Sequence, residues 1–448
     1  MKKMLACLLC MAMVLSMAVC GMTADAAETP EKSGKSVTYG GITYDIYKDH
    51  AEVTKVDLDV YTGYNPEYAE NKVFAFPKEI QYQETGEIKP VTALRYNDCY
   101  RNFSAKKIII PSSVTTCKIG FGNYTPNEVL EEVTFENGSQ LKRLYGSIFW
   151  NCVALNRVGI DNTDQLPDDI VWIDEHAFEG CSSLTSIKLP KKLTTISTEA
   201  FKDCVNLKEV TFSPSIQICH EKAFYNCTNL SRIIFETNSD GKNDLKRLGV
   251  SAFENCKNLK EINLPMSSTS YSIGLECFKN TGLTSINIPD CVSEIERRAF
   301  EGVKFENNLK TPKGEKYAIG IFGPQAEIAQ PSNYTESIFG DTYNDKTKDD
   351  RPTIAGLAYS TANDFAIKED FYFISVGDWN PFKVILPGDV NGDSEINVYD
   401  ITPIIRYINH LSSDIDITIA DVNGDGEVNV FDITKIIRYI NGLDEKIG

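Results

Sequence analysis

The sequence predicts a mainly β fold: a solenoid of stacked repeat coils with a parallel sheet and capping units, then a small all-α module of two loop–helix half-units. Three observations predict it. A phenylalanine recurs at spacings of 29, 23, 23, 29, 25 and 22 residues from Phe149 to Phe300. Short runs with apolar residues two apart accompany it, several stopped by proline, which is the pattern of brief strands. Near the C-terminus, DVNGDSEINVYDITPIIRYINHL from Asp389 and DVNGDGEVNVFDITKIIRYINGL from Asp421 agree at 18 of 23 positions.

Residues 1–26 read as an export signal. Lys2 and Lys3 precede an apolar run from Met4 to Val19, and Ala24-Asp25-Ala26 offers a small-residue cleavage site. Cys20 also admits a lipoprotein reading, although Val19 stands where a small residue is expected. No other stretch is apolar for long enough to span a bilayer. The expectation is a secreted, extracellular protein with no membrane span. A net charge of −18 argues against nucleic acid or anionic lipid as a partner, since both need a positive surface.

Residues 27–98 are expected to cap the start of the solenoid, with Val37–Val53 alternating like a hairpin. Tyr61, Tyr64 and Tyr68 in a following loop are the best candidate contact aromatics. Over 99–305 the marker is Ala-Phe, then Cys three residues on and Leu three beyond that. Ala177-Phe178…Cys181…Leu184 and Ala200-Phe201…Cys204…Leu207 are examples. Ile108/Ile110, Val133/Phe135, Val158/Ile160, Ile187/Leu189, Val210/Phe212, Ile233/Phe235, Ile262/Leu264 and Ile286/Ile288 are the strand signals. This region resembles the BspA-like leucine-rich repeats, which implies a leucine-rich-repeat solenoid. Equivalent residues of stacked coils form columns, so Cys152, Cys181, Cys204, Cys227 and Cys256 should line up inside as small buried hydrophobes. One outward column reads Lys107, Glu132, Arg157, so neighbouring coils should pair opposite charges. Residues 306–386 are expected to hold a polar, exposed excursion to 350, a terminal strand–helical turn–strand unit over 353–376, and a short link.

The module at 387–448 packs oxygen donors at alternating positions, as a hard cation with six to eight oxygen ligands requires. The first loop offers Asp389, Asn391, Asp393, Glu395 (backbone carbonyl), Asn397 and Asp400; the second offers Asp421, Asn423, Asp425, Glu427 (backbone carbonyl), Asn429 and Asp432. Two Ca2+ ions are expected, and they would offset a segment with twelve acids and four bases. After each loop the apolar spacing turns helical: Ile401, Ile404, Ile405 and Ile408, then Ile433, Ile436, Ile437 and Ile440. Pro387 and Gly388 stand where an EF-hand would have an entering helix. Tandem loop–helix half-units resemble the type I dockerin. That resemblance implies a cohesin domain of a scaffold protein as partner, contacted through Val398, Tyr399, Arg406, Val430, Phe431, Lys435 and Arg438. Ser394 departs from the usual turn glycine of the first loop, and the Val–aromatic pairs stand where many dockerins carry small hydroxyl residues, which implies an unusual cohesin class.

Catalytic patterns are sparse. His220-Glu221 begins like a zinc-protease helix, but the second ligand position is Phe224. There is no G-x-S-x-G turn. The expected function is therefore a secreted non-catalytic cellulosome-type subunit, held near the cell surface through its scaffold, whose repeats offer a surface for a protein or glycan ligand. A polysaccharide-degrading hydrolase with an unrecognised active site, and a free cell-surface adhesin, remain alternatives.

Overall fold

The computed structural model describes residues 36–57, 71–95, 104–376 and 388–443, apart from 123, 162, 324–325, 329–336, 344–345, 358–359, 389, 391–395, 410–414 and 416. The expected export signal, the Tyr61/Tyr64/Tyr68 loop and the link before the C-terminal module lie outside the described residues.

The chain divides into two compact units, Met1–Val210 with Ala223–Thr228, and Thr211–Lys222 with Asn229–Gly448. In the first unit, Val37–Tyr39, Ile42–Ile46 and Ala51–Val56 form an antiparallel meander. The meander already leads into the repeats, because Ala51–Val56 pairs in parallel with Ile88–Leu94, and that strand with Thr116–Cys117. A second parallel sheet joins Val73–Ala75, Lys107–Ile110, Glu132–Phe135 and Arg157–Ile160 in step. Its outward charges pair as the column predicts: Lys107 Nζ lies 2.8 Å and Arg157 Nη2 2.6 Å from the Glu132 carboxylate.

The coil interior follows from the phenylalanine marker. Phe121, Phe149, Phe178, Phe201 and Phe224 are fully buried, with consecutive ring centroids 4.9–5.6 Å apart. Each ring is placed by a backbone bond between coils: the Phe149, Phe178 and Phe201 amides donate to the Ala177, Ala200 and Ala223 carbonyls at 2.7–2.9 Å. The turn around each phenylalanine needs left-handed backbone twice. Ser147, His176, Glu199, Glu276 and Arg298, two residues before it, have φ of 55–59°. Two residues after it stand Asn151, Asp203, Asn226, Asn255 and Asn280, or Gly180 and Gly302. Asn, Asp and Gly tolerate this region best, which explains their recurrence there.

Within the first unit the cysteine column forms as expected. Cys152, Cys181, Cys204 and Cys227 in the first unit, and Cys256 in the second, are fully buried thiols rather than disulfides. The Cys181, Cys204 and Cys227 thiols donate to the Phe149, Phe178 and Phe201 carbonyls at 3.1–3.2 Å. Burial pushes the Cys181 and Cys204 thiols up, and that of Cys117 to about 12, so they stay protonated and unreactive. Cys117, Cys219 and Cys277 are further buried thiols outside that column.

The second unit continues the pattern, with Phe253, Phe278 and Phe300 stacked at 5.5 and 5.7 Å. Residues 306–350 differ from expectation, because they do not simply loop out. Ile319–Ile321 pairs in parallel with Ile286–Ile288 and with Ile354–Gly356, and Glu327–Ile328 pairs with Glu294 and Ile295. Phe339 is buried 6.5 Å from Phe300. Tyr317, Ile319, Ile321 and Phe339 supply the inward positions of a further coil. The polar composition belongs to positions such as Lys313, Glu315 and Lys316, which face solvent. One expected strand is missing: Ile262 and Leu264 are buried without belonging to a strand. Ile354–Gly356, helix α1 (Thr361–Lys368) and Phe373–Ser375 then form the terminal unit. The Ser360 hydroxyl caps α1 by accepting from the Asn363 amide.

At the C-terminus, α2 (Ile401–Ile408), α3 (Ile417–Ala420) and α4 (Val430–Ile440) enclose a small separate core. Ile404, Ala420, Val422 and Ile436 are fully or almost fully buried there, with Ile401, Ile408 and Ile433 packed against them. No helix among the described residues is long and apolar enough to cross a membrane.

Candidate functional site

The second loop of the C-terminal module is described throughout. Its turn exists because Gly424 and Gly426 take φ of +74° and +87°, a conformation that costs other residues strain. The Asp421 carboxylate organises that turn. Its Oδ1 accepts from the Gly424 and Asp425 amides at 2.8 and 3.1 Å, and its Oδ2 from Gly426 at 2.8 Å. Asn423 Oδ1 accepts from the Asp425 amide at 2.9 Å, and Asp425 Oδ1 from Glu427 at 2.9 Å. At the far end Asp432, completely buried, accepts from the Asn423 and Asn429 amides at 3.2 and 2.8 Å. Three aspartates and a glutamate, with two side-chain amides, thus crowd one loop, with no cationic side chain among the twelve residues 421–432.

Asp421 Oδ2, Asn423 Oδ1, Asp425 Oδ1 and the two Asp432 oxygens each accept one of these bonds and retain a lone pair, whereas Asp421 Oδ1 already accepts two; the set holds no sulfur or imidazole. A bound Ca2+ fits those residues: oxygen-only donors suit a hard cation, and the ion would relieve a buried acid close to two like charges. In the first loop Asn397 and Asp400 repeat the arrangement. Asp400 is fully buried, and its Oδ2 accepts from the Asn397 amide at 2.8 Å. Asp389, Asn391, Asp393 and Glu395 lie outside the described residues.

The same two asparagines start the helical turns. Asn397 Oδ1 accepts from the Tyr399 amide at 2.9 Å, and Asn429 Oδ1 from the Phe431 amide at 2.8 Å; each completes a capping box with the buried aspartate. Loop and exposed surface are therefore one construction. The caps turn Val398 and Tyr399 outward, 59% and 71% exposed, and Val430 and Phe431 likewise, 58% and 67% exposed. Arg406 and Arg438 are exposed too, whereas Lys435 is partly covered.

Two residues of this surface are absent from the contact set read off the sequence. Ile405 and Ile437, expected on the core face, are 45% and 43% exposed. Each helix meets a narrow core: Ile401, Ile404 and Ile408 pack inward from the first and Ile433 and Ile436 from the second, where Ile440 too is 36% exposed. The residue one position past the central isoleucine turns about 100° away. Counting the width of the opposing core, rather than apolar residues alone, would have found them.

Elsewhere, His176 Nδ1, Glu179 and Glu199 bring potential metal-ligand atoms within 4.8 Å of one another. Lys202 Nζ already sits 3.0 Å from Glu179 and 2.8 Å from Glu199, so the carboxylates have their cation. On the strands Arg143–Leu144 and Trp172–Ile173, the Arg143 guanidinium lies over the Tyr145 and Trp172 rings while bonding the Asp174 carboxylate at 2.7 Å. The outward columns read from sequence covered only the other sheet and missed these aromatics.

A family model described as BspA type leucine rich repeat region matches residues 95–168, 163–241 and 237–319. Another, the Dockerin type I domain, matches 387–441; such domains typically bind calcium, and they imply a cohesin as binding partner. No curated protein matches the chain. Among solved structures, a leucine-rich repeat protein from Bacteroides ovatus is similar at 20% identity, over 71% of this chain and 70% of that one, with a TM-score of 0.41. A leucine rich cell surface protein from Faecalibacterium prausnitzii is 19% identical over 65% of this chain and 89% of that one, at a TM-score of 0.36.

Proposed function

We propose that this chain, which belongs to the BspA-type leucine-rich-repeat family and carries a type I dockerin domain, is a secreted, non-catalytic subunit that docks onto a scaffold cohesin through its dockerin. One observation carries the reading. The capping pairs of the dockerin, Asn397 with Asp400 and Asn429 with Asp432, hold the Val398–Tyr399 and Val430–Phe431 pairs out in solvent. A small domain that leaves two aromatics uncovered has surface set aside for a partner.

Two calcium ions complete this arrangement, one in each loop. In the second, Asp421, Asn423, Asp425, Asn429 and Asp432 would hold the ion with the Glu427 carbonyl. The ion supplies charge neutralisation, so loop folding and docking become one calcium-dependent event. Asn391, Asp393 and their neighbours are assigned the same roles in the first loop. Arg406, Lys435 and Arg438 border the apolar pairs and offer charged contacts to the cohesin rim. By the nature of dockerins, the assembly is cellulosome-like, and the repeats present a surface for a protein or glycan ligand.

The test is capture of the purified full chain by a panel of scaffold cohesins, with calcium and with excess chelator, alongside sugar release from plant polysaccharide. The reading expects capture in calcium, none in chelator, and no sugar release. Capture that survives the chelator would sink calcium-dependent docking; sugar release would establish a hydrolase instead.

A further inference from the structure

Two coil junctions in the repeats carry matched rings of four charges. In the first unit, His176 and Glu179 of one coil meet Glu199 and Lys202 of the next. His176 Nδ1 lies 2.6 Å from Glu179 and 3.4 Å from Glu199, and Lys202 Nζ closes the ring at 3.0 and 2.8 Å. In the second unit, Glu276 and Lys279 meet Arg298 and Glu301. There Lys279 Nζ lies 2.9 Å from Glu276 and 3.1 Å from Glu301, and Arg298 closes the ring at 3.0 and 2.6 Å. The members hold equivalent places, two residues before and one after Phe178, Phe201, Phe278 and Phe300. The left-handed backbone is shared as well, with φ of 59° at His176 and 57° at Arg298. The rings have the same connectivity with the coil order reversed. Their chemistry differs in one group: imidazole in the first, guanidinium in the second.

We propose that the ring at His176 is a pH-sensitive fastening between neighbouring coils, and that the ring at Arg298 is its permanently charged counterpart. An arginine stays protonated at any working pH, whereas a histidine loses its charge near neutrality. With imidazolium in place the first ring has two cations and two carboxylates. Once the proton leaves, Glu179 and Glu199 share Lys202 alone. Glu175 is the other carboxylate beside His176, and the preceding coil offers only uncharged Ser147 and Trp150 at the matching places. All four side chains are between 15% and 26% exposed, so water screens them only in part.

The electrostatics agree with the geometry. The hydrogen bond that His176 donates to Glu179, then the charges of Glu179, Glu199 and Glu175, raise the His176 pKa above the ordinary 6.5, against the opposing effect of burial. Burial also opposes ionisation of Glu179, but its bonds to His176 and Lys202 outweigh that and hold its carboxyl below the usual range. A histidine raised on folding contributes stability that is complete below its unfolded value and is lost as pH climbs through its folded value. While the carboxylates stay ionised, the fastening is therefore complete below the ordinary histidine value of 6.5 and loosens as pH climbs through the raised value of His176.

Amide exchange on the full chain tests this, with each rate corrected for intrinsic chemistry. Protection over 177–203 should fall roughly two- to fivefold as pH rises through the His176 transition, the loss typical of one partly exposed ion pair. Protection over 277–303 should stay level and serves as the internal standard. His176→Arg places in the first ring the residue that the second already carries on the same backbone, so it should fold and abolish the transition. Glu199→Gln should move the transition to lower pH. Level protection over 177–203 in the parent chain would overturn the proposal. So would a transition unchanged in His176→Arg, or one that does not move in Glu199→Gln.

Discussion

The repeats hide their stacked phenylalanines, and the dockerin displays Tyr399 and Phe431. Phe178, Phe201 and Phe224 are wholly buried, each against the ring of an adjacent coil, whereas Tyr399 and Phe431 are 71% and 67% exposed. Both regions are built by duplication, but the consequences differ. In the repeats, a copy exists to cover its neighbour, since one coil cannot bury its own edge. In the dockerin, each copy contributes one helix to a core of Ile404, Ala420, Val422 and Ile436, and what remains of its apolar surface faces outward. The difference separates a region that stabilises itself from one whose surface suits a partner.

The largest expected effect breaks the comparison on the dockerin side. Asp421→Ala with Asp425→Ala removes a carboxylate that accepts three turn amides and another that accepts the next. The second half-unit should unfold and cohesin capture should vanish, while thermal melting of the repeats stays where it was. Excess chelator should have the same result without mutation. On the repeat side, Phe201→Ala opens a cavity in a filled ladder and should cost about 3–5 kcal/mol of repeat stability. Cohesin affinity, measured by calorimetry in calcium, should not change.

Much of this contrast was legible in the sequence because columns are a sequence property. The spacing from Phe149 to Phe300 placed the stack, and the three-residue offset placed Cys181 and Cys204 inside it. The Lys107–Glu132–Arg157 pairing followed from the same register. What could not be read depended on what faces each residue. Ile405 and Ile437 obey a helical apolar pattern, and only the narrowness of the opposing core turns them out. Residues 306–350 look polar on average, yet a few inward positions are enough to build a coil. The His176 ring needed three dimensions too, since its members come from two coils and only their stacking closes it.

Smaller changes sharpen the comparison. On the proposed reading either of the near-symmetric helices can face the cohesin, so Arg406→Ala or Arg438→Ala alone should weaken binding by less than about threefold, and the pair by at least about thirtyfold. A full loss from one change would assign the cohesin to one helix. Smallest of all, Glu132→Gln severs two partly exposed ion pairs on the repeat sheet and should cost about 1 kcal/mol or less, read as a small fall in melting temperature.

The central claim is that attachment resides in the displayed surface of the dockerin. Its most direct test is the affinity of the full chain carrying Tyr399→Ala and Phe431→Ala for its cohesin, in saturating calcium. The double variant should lose at least about a hundredfold in affinity, with calcium uptake and repeat melting unchanged. Binding within about threefold of the parent chain would contradict the account and move the attachment site elsewhere.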